Sequence, residues 1–216
     1  MKSMDQVFAT NRIVPVVVIN DVDAAVPLAE TLLAAGINNM EITLRTANAL
    51  EIIRKVAKEV PEMMVGAGTI LTPENFEAAR EAGSEYIISP GLTSELLTTA
   101  KAHANQVRFI PGLCTPSQAM DAANAGFNYV KFFPAEPYNA YNVIKALASP
   151  FPHIKFCPTG GVTVDNMKKY LELPNIFAVG LSSIVEAKLI AAHDFKEIRK
   201  RCEEAVAIVN NTLNLK

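Results

Sequence analysis

Short apolar runs alternate with amphipathic stretches along all 216 residues, and this rhythm constrains the fold more than any single motif does. The runs fall at residues 13–19, 39–44, 63–69, 86–90, 108–111, 129–133, 155–158 and 176–180. Each has the length and character of a strand buried on both faces. Between them the spacing predicts helices near residues 22–35, 47–59, 73–82, 93–104, 116–125, 139–148, 164–172 and 193–212. Local punctuation agrees with that division. Ala35-Gly36, Ala82-Gly83 and Ala125-Gly126 place a glycine where a helix must end in a left-handed turn. Thr72-Pro73 and Thr115-Pro116 pair a capping hydroxyl with a first-turn proline.

Eight strand–helix units predict an α/β fold: a single (β/α)8, or TIM, barrel occupying residues 1–216 as one domain. That length lies near the short end of the roughly 200 to 400 residues usual for such barrels. A doubly wound open sheet would need a glycine-rich dinucleotide turn after its first strand. This chain has Ile19-Asn20-Asp21 there instead. In a barrel the chemistry sits at the C-terminal ends of the strands, so polar residues at those ends are the first candidates.

Bulk properties exclude several classes. Half the residues are hydrophobic and 19% are charged, which rules out a disordered chain. A net charge of -2 supplies no basic field for nucleic acid or an anionic membrane. The longest apolar run, residues 13–19, is far too short to span a bilayer. Met1-Lys2-Ser3-Met4-Asp5 has no signal-peptide core, and Cys114, Cys157 and Cys202 form neither CxxC pairs nor an even set. A reduced, cytoplasmic protein is expected. No metal is expected either, because His103, His153 and His193 all lie away from the predicted strand ends. Cys114 and Cys157 lie near strand ends without a histidine to activate them, and read as structural.

Lys131 is the most unusual candidate. In Tyr129-Val130-Lys131-Phe132-Phe133, alternation puts Tyr129, Lys131 and Phe133 on one face and Val130 and Phe132 on the other. Burying an amine disfavours its charged form, and a neutral amine can attack a carbonyl. The plain alternative is a lysine at a frayed strand end whose amine reaches water. In Glu41-Ile42-Thr43-Leu44-Arg45, alternation gathers a carboxylate, a hydroxyl and a guanidinium on one face. Arginine's fork suits a carboxylate or phosphate, and a glutamate in a dry setting can move protons. An internal Glu41–Arg45 ion pair without chemistry remains the alternative. Val65-Gly66-Ala67-Gly68-Thr69 offers room and a hydroxyl over a strand end. Thr159-Gly160-Gly161 and Gly180-Leu181-Ser182-Ser183 close the last two strands, where barrels often hold phosphate through backbone N–H groups. Two tight turns are the competing explanation.

Taken with Ile13-Val14-Pro15-Val16, Ile88-Ser89-Pro90-Gly91, Ile110-Pro111-Gly112 and Lys131-Phe132-Phe133-Pro134-Ala135-Glu136, these segments resemble the bacterial 2-keto-3-deoxy-6-phosphogluconate (KDPG) and 4-hydroxy-2-oxoglutarate (KHG) aldolase family across nearly the whole chain. The resemblance implies a class I aldolase without metal or cofactor. It would cleave KDPG to pyruvate and glyceraldehyde 3-phosphate, and KHG to pyruvate and glyoxylate. Lys131 matches the Schiff-base lysine and Glu41 the general acid/base. Arg45, Thr69 and Pro90 match the pyruvyl pocket, and Thr159 a position for hydroxyl recognition. Gly160, Gly161 and Ser182 match the phosphate site. The resemblance also implies a homotrimer acting on small 2-keto acids, with no nucleic-acid or membrane partner. Well-known members carry Gly-Gly-Ser-Trp where this chain has Gly180-Leu181-Ser182-Ser183, and a crowding Leu181 would weaken the hold on phosphate. An aldolase for the 6-phosphogalactonate analogue, a phosphosugar isomerase or epimerase using Glu41 alone, and a non-catalytic sugar-phosphate binder are the competing functions.

Overall fold

The computed structural model describes Phe8 and residues 12–213. The strands are β1 (Ile13–Val17), β2 (Asn39–Thr43), β3 (Met64–Gly68), β4 (Tyr86–Ile88), β5 (Arg108–Ile110), β6 (Gly112–Leu113), β7 (Tyr129–Phe132), β8 (Lys155–Pro158) and β9 (Val179–Leu181). Every strand pairing among the described residues is parallel. One sheet runs β5-β4-β3-β2-β1-β9 and the other β6-β7-β8. The last strand therefore lies beside the first, and the sheet curls. The fold is α/β with a curled parallel sheet, as the alternation of apolar runs predicts.

The fifth apolar run differs from expectation in one respect. It continues through Pro111 into Gly112–Leu113, so that β5 and β6 belong to different sheets. Proline has no N–H to give to a ladder, which accounts for the break at that position. Its carbonyl still accepts from Lys131 N at 2.9 Å. At the other edge, Phe156 bridges to Ile176 and Thr159 to Gly180.

Helices α1 (Ala25–Ala34), α2 (Ala49–Glu59), α3 (Pro73–Glu81), α4 (Ser94–Ala102), α5 (Pro116–Asn124), α6 (Ala140–Leu147) and α7 (Met167–Leu171) follow successive strands. After β9 come a 3-10 turn (Ser183–Val185), a short α8 (Ala187–Ala191) and the long α9 (Phe195–Leu213). The sequence pattern shows only the last of these three. Thr72 Oγ1 accepts from Asn75 N at 3.2 Å, and Thr115 forms a reciprocal capping box with Gln118. Each such cap contributes about 1 kcal/mol. Gly36, Gly83 and Gly126 all take the left-handed conformation expected of them.

Alternation sorts the strand side chains into two layers. Ile13, Val17, Met40, Ile42, Val130 and Phe132 join the large apolar core under the helices. Val14, Tyr86, Ile88, Ile110, Cys157 and Phe177 form a smaller cluster on the concave face, with Tyr129 packed against it. That second cluster is a dry floor, and the polar residues lie on the same side of the strands.

Candidate active site

Glu41 and Lys131 are buried on the concave face, 1% and 6% exposed. Lys131 Nζ lies 3.2 Å from Glu41 Oε1, and 5.5 Å from the centroid of the Phe133 ring. Sequence reasoning sets Glu41 against Arg45 as the plain alternative; the structure pairs it with Lys131 instead. Thr43 Oγ1 donates to Val17 O at 2.9 Å and accepts from Arg45 Nε at 3.2 Å. Arg45 stands exposed at the strand end, and no carboxylate pairs with it among the described residues. Its guanidinium is therefore available for an incoming anion.

These side chains line one cavity of about 710 Å³, together with Thr69, Pro90, Phe133, Thr159, Gly160 and Ser182. Eight of the nine residues singled out from sequence thus converge on it. Gly161 is the exception: it is exposed outside the cavity lining, at φ +82°, and a Cβ there would meet Glu136 at 2.8 Å. Glu136 in turn accepts from Tyr170 Oη at 2.5 Å and pairs with Lys169 at 3.1 Å, while its own N–H donates to Gly160 O at 2.9 Å. The Glu136 brace fixes the Gly160 side of the cavity. Leu181 also departs from expectation. It is fully buried in the core under the helices and does not touch the cavity, so it crowds nothing there. Alternation explains this, since Gly180 and Ser182 take the other face.

Three glycines make the polar interior possible. A Cβ on Gly68 would lie 2.0 Å from Glu41 Oε1, one on Gly66 2.1 Å from the Tyr86 ring, and one on Gly180 2.1 Å from Thr159 Oγ1. Gly68 sits in a regular strand whose backbone suits alanine, so only the space forbids it. Gly68→Ala is expected to push the carboxylate aside and lower kcat by about a hundredfold, the scale of a 1 Å misplacement of a catalytic group. An unchanged kcat in a folded variant, checked by a thermal scan, would sink that account of Glu41. Thr69 shows a related constraint. Its φ of 61° is costly for a β-branched residue, and such strain of about 1–3 kcal/mol gathers where a site dictates the backbone.

Burial pushes the Cys157 thiol up to about 12, with the nearby Lys131 charge opposing the shift, so this cysteine stays a neutral thiol. Burial likewise raises the Tyr86 phenol, whose Oη donates to Asn39 Oδ1 at 3.4 Å. Neither group offers a competing nucleophile. Among the described residues no cluster of three or more His, Cys, Asp or Glu side chains could hold a metal ion. No helix among them is long and apolar enough to cross a membrane. The sequence reading missed the last stretch of cavity wall, Val185, Glu186, Ala187 and Lys188. The charged pair at two-residue spacing just after the final strand was the available signal.

An amine paired with a buried carboxylate can lose its proton to that carboxylate and attack a ketone. The exposed Arg45 guanidinium on the same cavity suits an anionic group. Fold and site together define a parallel α/β protein with a buried amine–carboxylate pair and an exposed guanidinium on one cavity. The family model described as "KDPG and KHG aldolase" matches residues 4–201, and the chain belongs to that family of carbon–carbon lyases. It is 41% identical over 204 residues to the KHG/KDPG aldolase of Escherichia coli strain K12, covering 94% of this chain and 95% of that one. A crystal structure of KDPG aldolase from Legionella pneumophila, with pyruvate captured as a covalent carbinolamine intermediate, superposes with a TM-score of 0.90. That pair shares 38% identity, with 95% and 98% of the two chains covered. The KDPG aldolase of Zymomonas mobilis ZM4, solved with 3-phosphoglycerate, gives a TM-score of 0.87 at 41% identity, with 95% of each chain covered.

Proposed function

We propose that this chain is a class I aldolase that cleaves KDPG to pyruvate and glyceraldehyde 3-phosphate, and KHG to pyruvate and glyoxylate. The observation that carries the reading is the buried Lys131–Glu41 pair at 3.2 Å on the wall of a cavity large enough for the substrate. Glu41 takes the ammonium proton, and the Lys131 lone pair adds to the C2 ketone to form a carbinolamine. Glu41 returns a proton as water leaves, giving the iminium. The carboxylate then removes the C4 hydroxyl proton while the C3–C4 electrons flow to the iminium nitrogen. Aldehyde departs, the enamine is protonated at C3, and water releases pyruvate.

Arg45 clamps the keto-acid carboxylate, with Thr69 and Pro90 shaping the pocket and Thr159 meeting a hydroxyl. Gly160 and Ser182 offer backbone N–H groups to the phosphate, and Gly161 shapes the turn from outside. No metal or cofactor takes part in this scheme. The same reading makes the chain one domain in which the two sheets close into a single (β/α)8 barrel. The chain running on from β5 through Pro111 into β6, the Lys131 N–H bond to Pro111 O, and the bridges from Phe156 and Thr159 support that closure. It also takes the enzyme to be a cytoplasmic homotrimer, as the family resemblance implies.

Borohydride added with pyruvate is expected to attach one reduced pyruvate to Lys131, located by peptide mass spectrometry. Pyruvate release from KDPG, coupled to lactate dehydrogenase, is expected to survive EDTA. A chain that gives no pyruvate-dependent adduct is not a Schiff-base aldolase; the isomerase reading forms no imine.

A further inference from the structure

The cavity carries a second set of charges that the scheme above does not use. Glu186 and Lys188 lie on its wall beyond Ser182, where the chain passes from β9 toward α9. Lys188 Nζ is 2.7 Å from Glu186 Oε2, and Glu186 Oε1 accepts from Arg201 Nη1 at 2.5 Å. Arg201 also donates to Ser183 O at 3.0 Å and pairs through Nε with Glu197 at 2.8 Å.

The two cations on Glu186 are held differently. Arg201 has three acceptors and a side chain only 28% exposed. Lys188 is 72% exposed, and Glu186 is its one ion-pair partner among the described residues. An exposed pair of this kind contributes little and exchanges readily. Lys188 can therefore leave Glu186 while Arg201 keeps that carboxylate in place and neutralised. A phosphate offers the ammonium several charged acceptor oxygens, a stronger partner than a shared carboxylate.

We propose that Lys188 is a specificity-determining residue that swings from Glu186 onto an anionic group at the far end of the substrate. This rests on the reading that the ketone is held at Lys131, because one molecule spanning the cavity meets both amines. A substrate with a neutral tail gives Lys188 nothing to bind and leaves it on Glu186.

Steady-state kinetics with KDPG and with unphosphorylated 2-keto-3-deoxygluconate test the assignment, alongside pyruvate–borohydride trapping on each protein. Lys188→Gln is expected to raise KM for KDPG by about tenfold with kcat within about twofold, so the phosphorylated-to-unphosphorylated kcat/KM ratio falls. Lys188→Arg keeps most of that ratio. Glu186→Gln lowers KM for KDPG, because a competing carboxylate is gone. A ratio that does not move in Lys188→Gln, whether both substrates weaken together or neither does, overturns the assignment. If Lys131 still traps pyruvate in that case, the aldolase reading stands and only Lys188 loses its role. Failure of trapping in the unaltered protein overturns both.

Discussion

Lys131→Met is expected to slow pyruvate release from KDPG by at least about ten-thousand-fold and to weaken the fold as well. The two effects have different origins. The first follows from losing the amine, since methionine fills the space but forms no imine. The second follows from Glu41, whose 1% exposed carboxylate keeps its burial and loses its cation. Breaking a buried pair by removing one partner costs about 3–5 kcal/mol. Lys131→Met combined with Glu41→Gln removes the orphaned charge, and most of that stability is expected to return while activity does not. Urea unfolding midpoints and coupled pyruvate assays on both variants separate the contributions. A double variant no more stable than the single one would show that charge burial is not what destabilises the single variant. Undiminished pyruvate release from either would remove Lys131 from the chemistry.

Glu41→Gln is expected to lower kcat by about 10^2 to 10^4, the span of positioned acid–base catalysis. Glutamine has the shape of the carboxylate and can still bond to Lys131, but it accepts no proton from the C4 hydroxyl. The amine survives, so pyruvate and borohydride still yield an adduct at Lys131, more slowly. That combination, trapping retained with turnover lost, distinguishes a proton carrier from a residue that merely holds the lysine. A kcat within a few-fold of the unaltered enzyme would end the assignment.

Much of this arrangement was legible in the sequence because period-two alternation decides which side of a strand faces the helices. Met40, Ile42, Val130 and Phe132 lie in the outer core, and Glu41, Thr43 and Lys131 on the concave face, as alternation requires. Partnership across the cavity was not legible. Glu41 and Lys131 are 90 residues apart, and their contact depends on how the sheet curls. Local spacing made Arg45 the more obvious partner for Glu41. Leu181 misled for a different reason: an altered motif position draws attention, although the alternation that gives Gly180 and Ser182 the cavity face already sends the Leu181 side chain into the core. Glu186 and Lys188 escaped notice because they follow the last strand, where no periodic pattern marks which side chains return to the cavity.

The hollows left by Gly66, Gly68 and Gly180 have a consequence for how such a site can change over generations. Each of Tyr86, Glu41 and Thr159 occupies a space that exists only because the residue on the adjacent strand has no side chain. A lineage that enlarges one of these glycines must shrink or relocate its neighbour in the same step or lose the site. The interior is therefore inherited as pairs of positions, and transplanting the constellation into another scaffold means carrying the empty partner along with each functional residue.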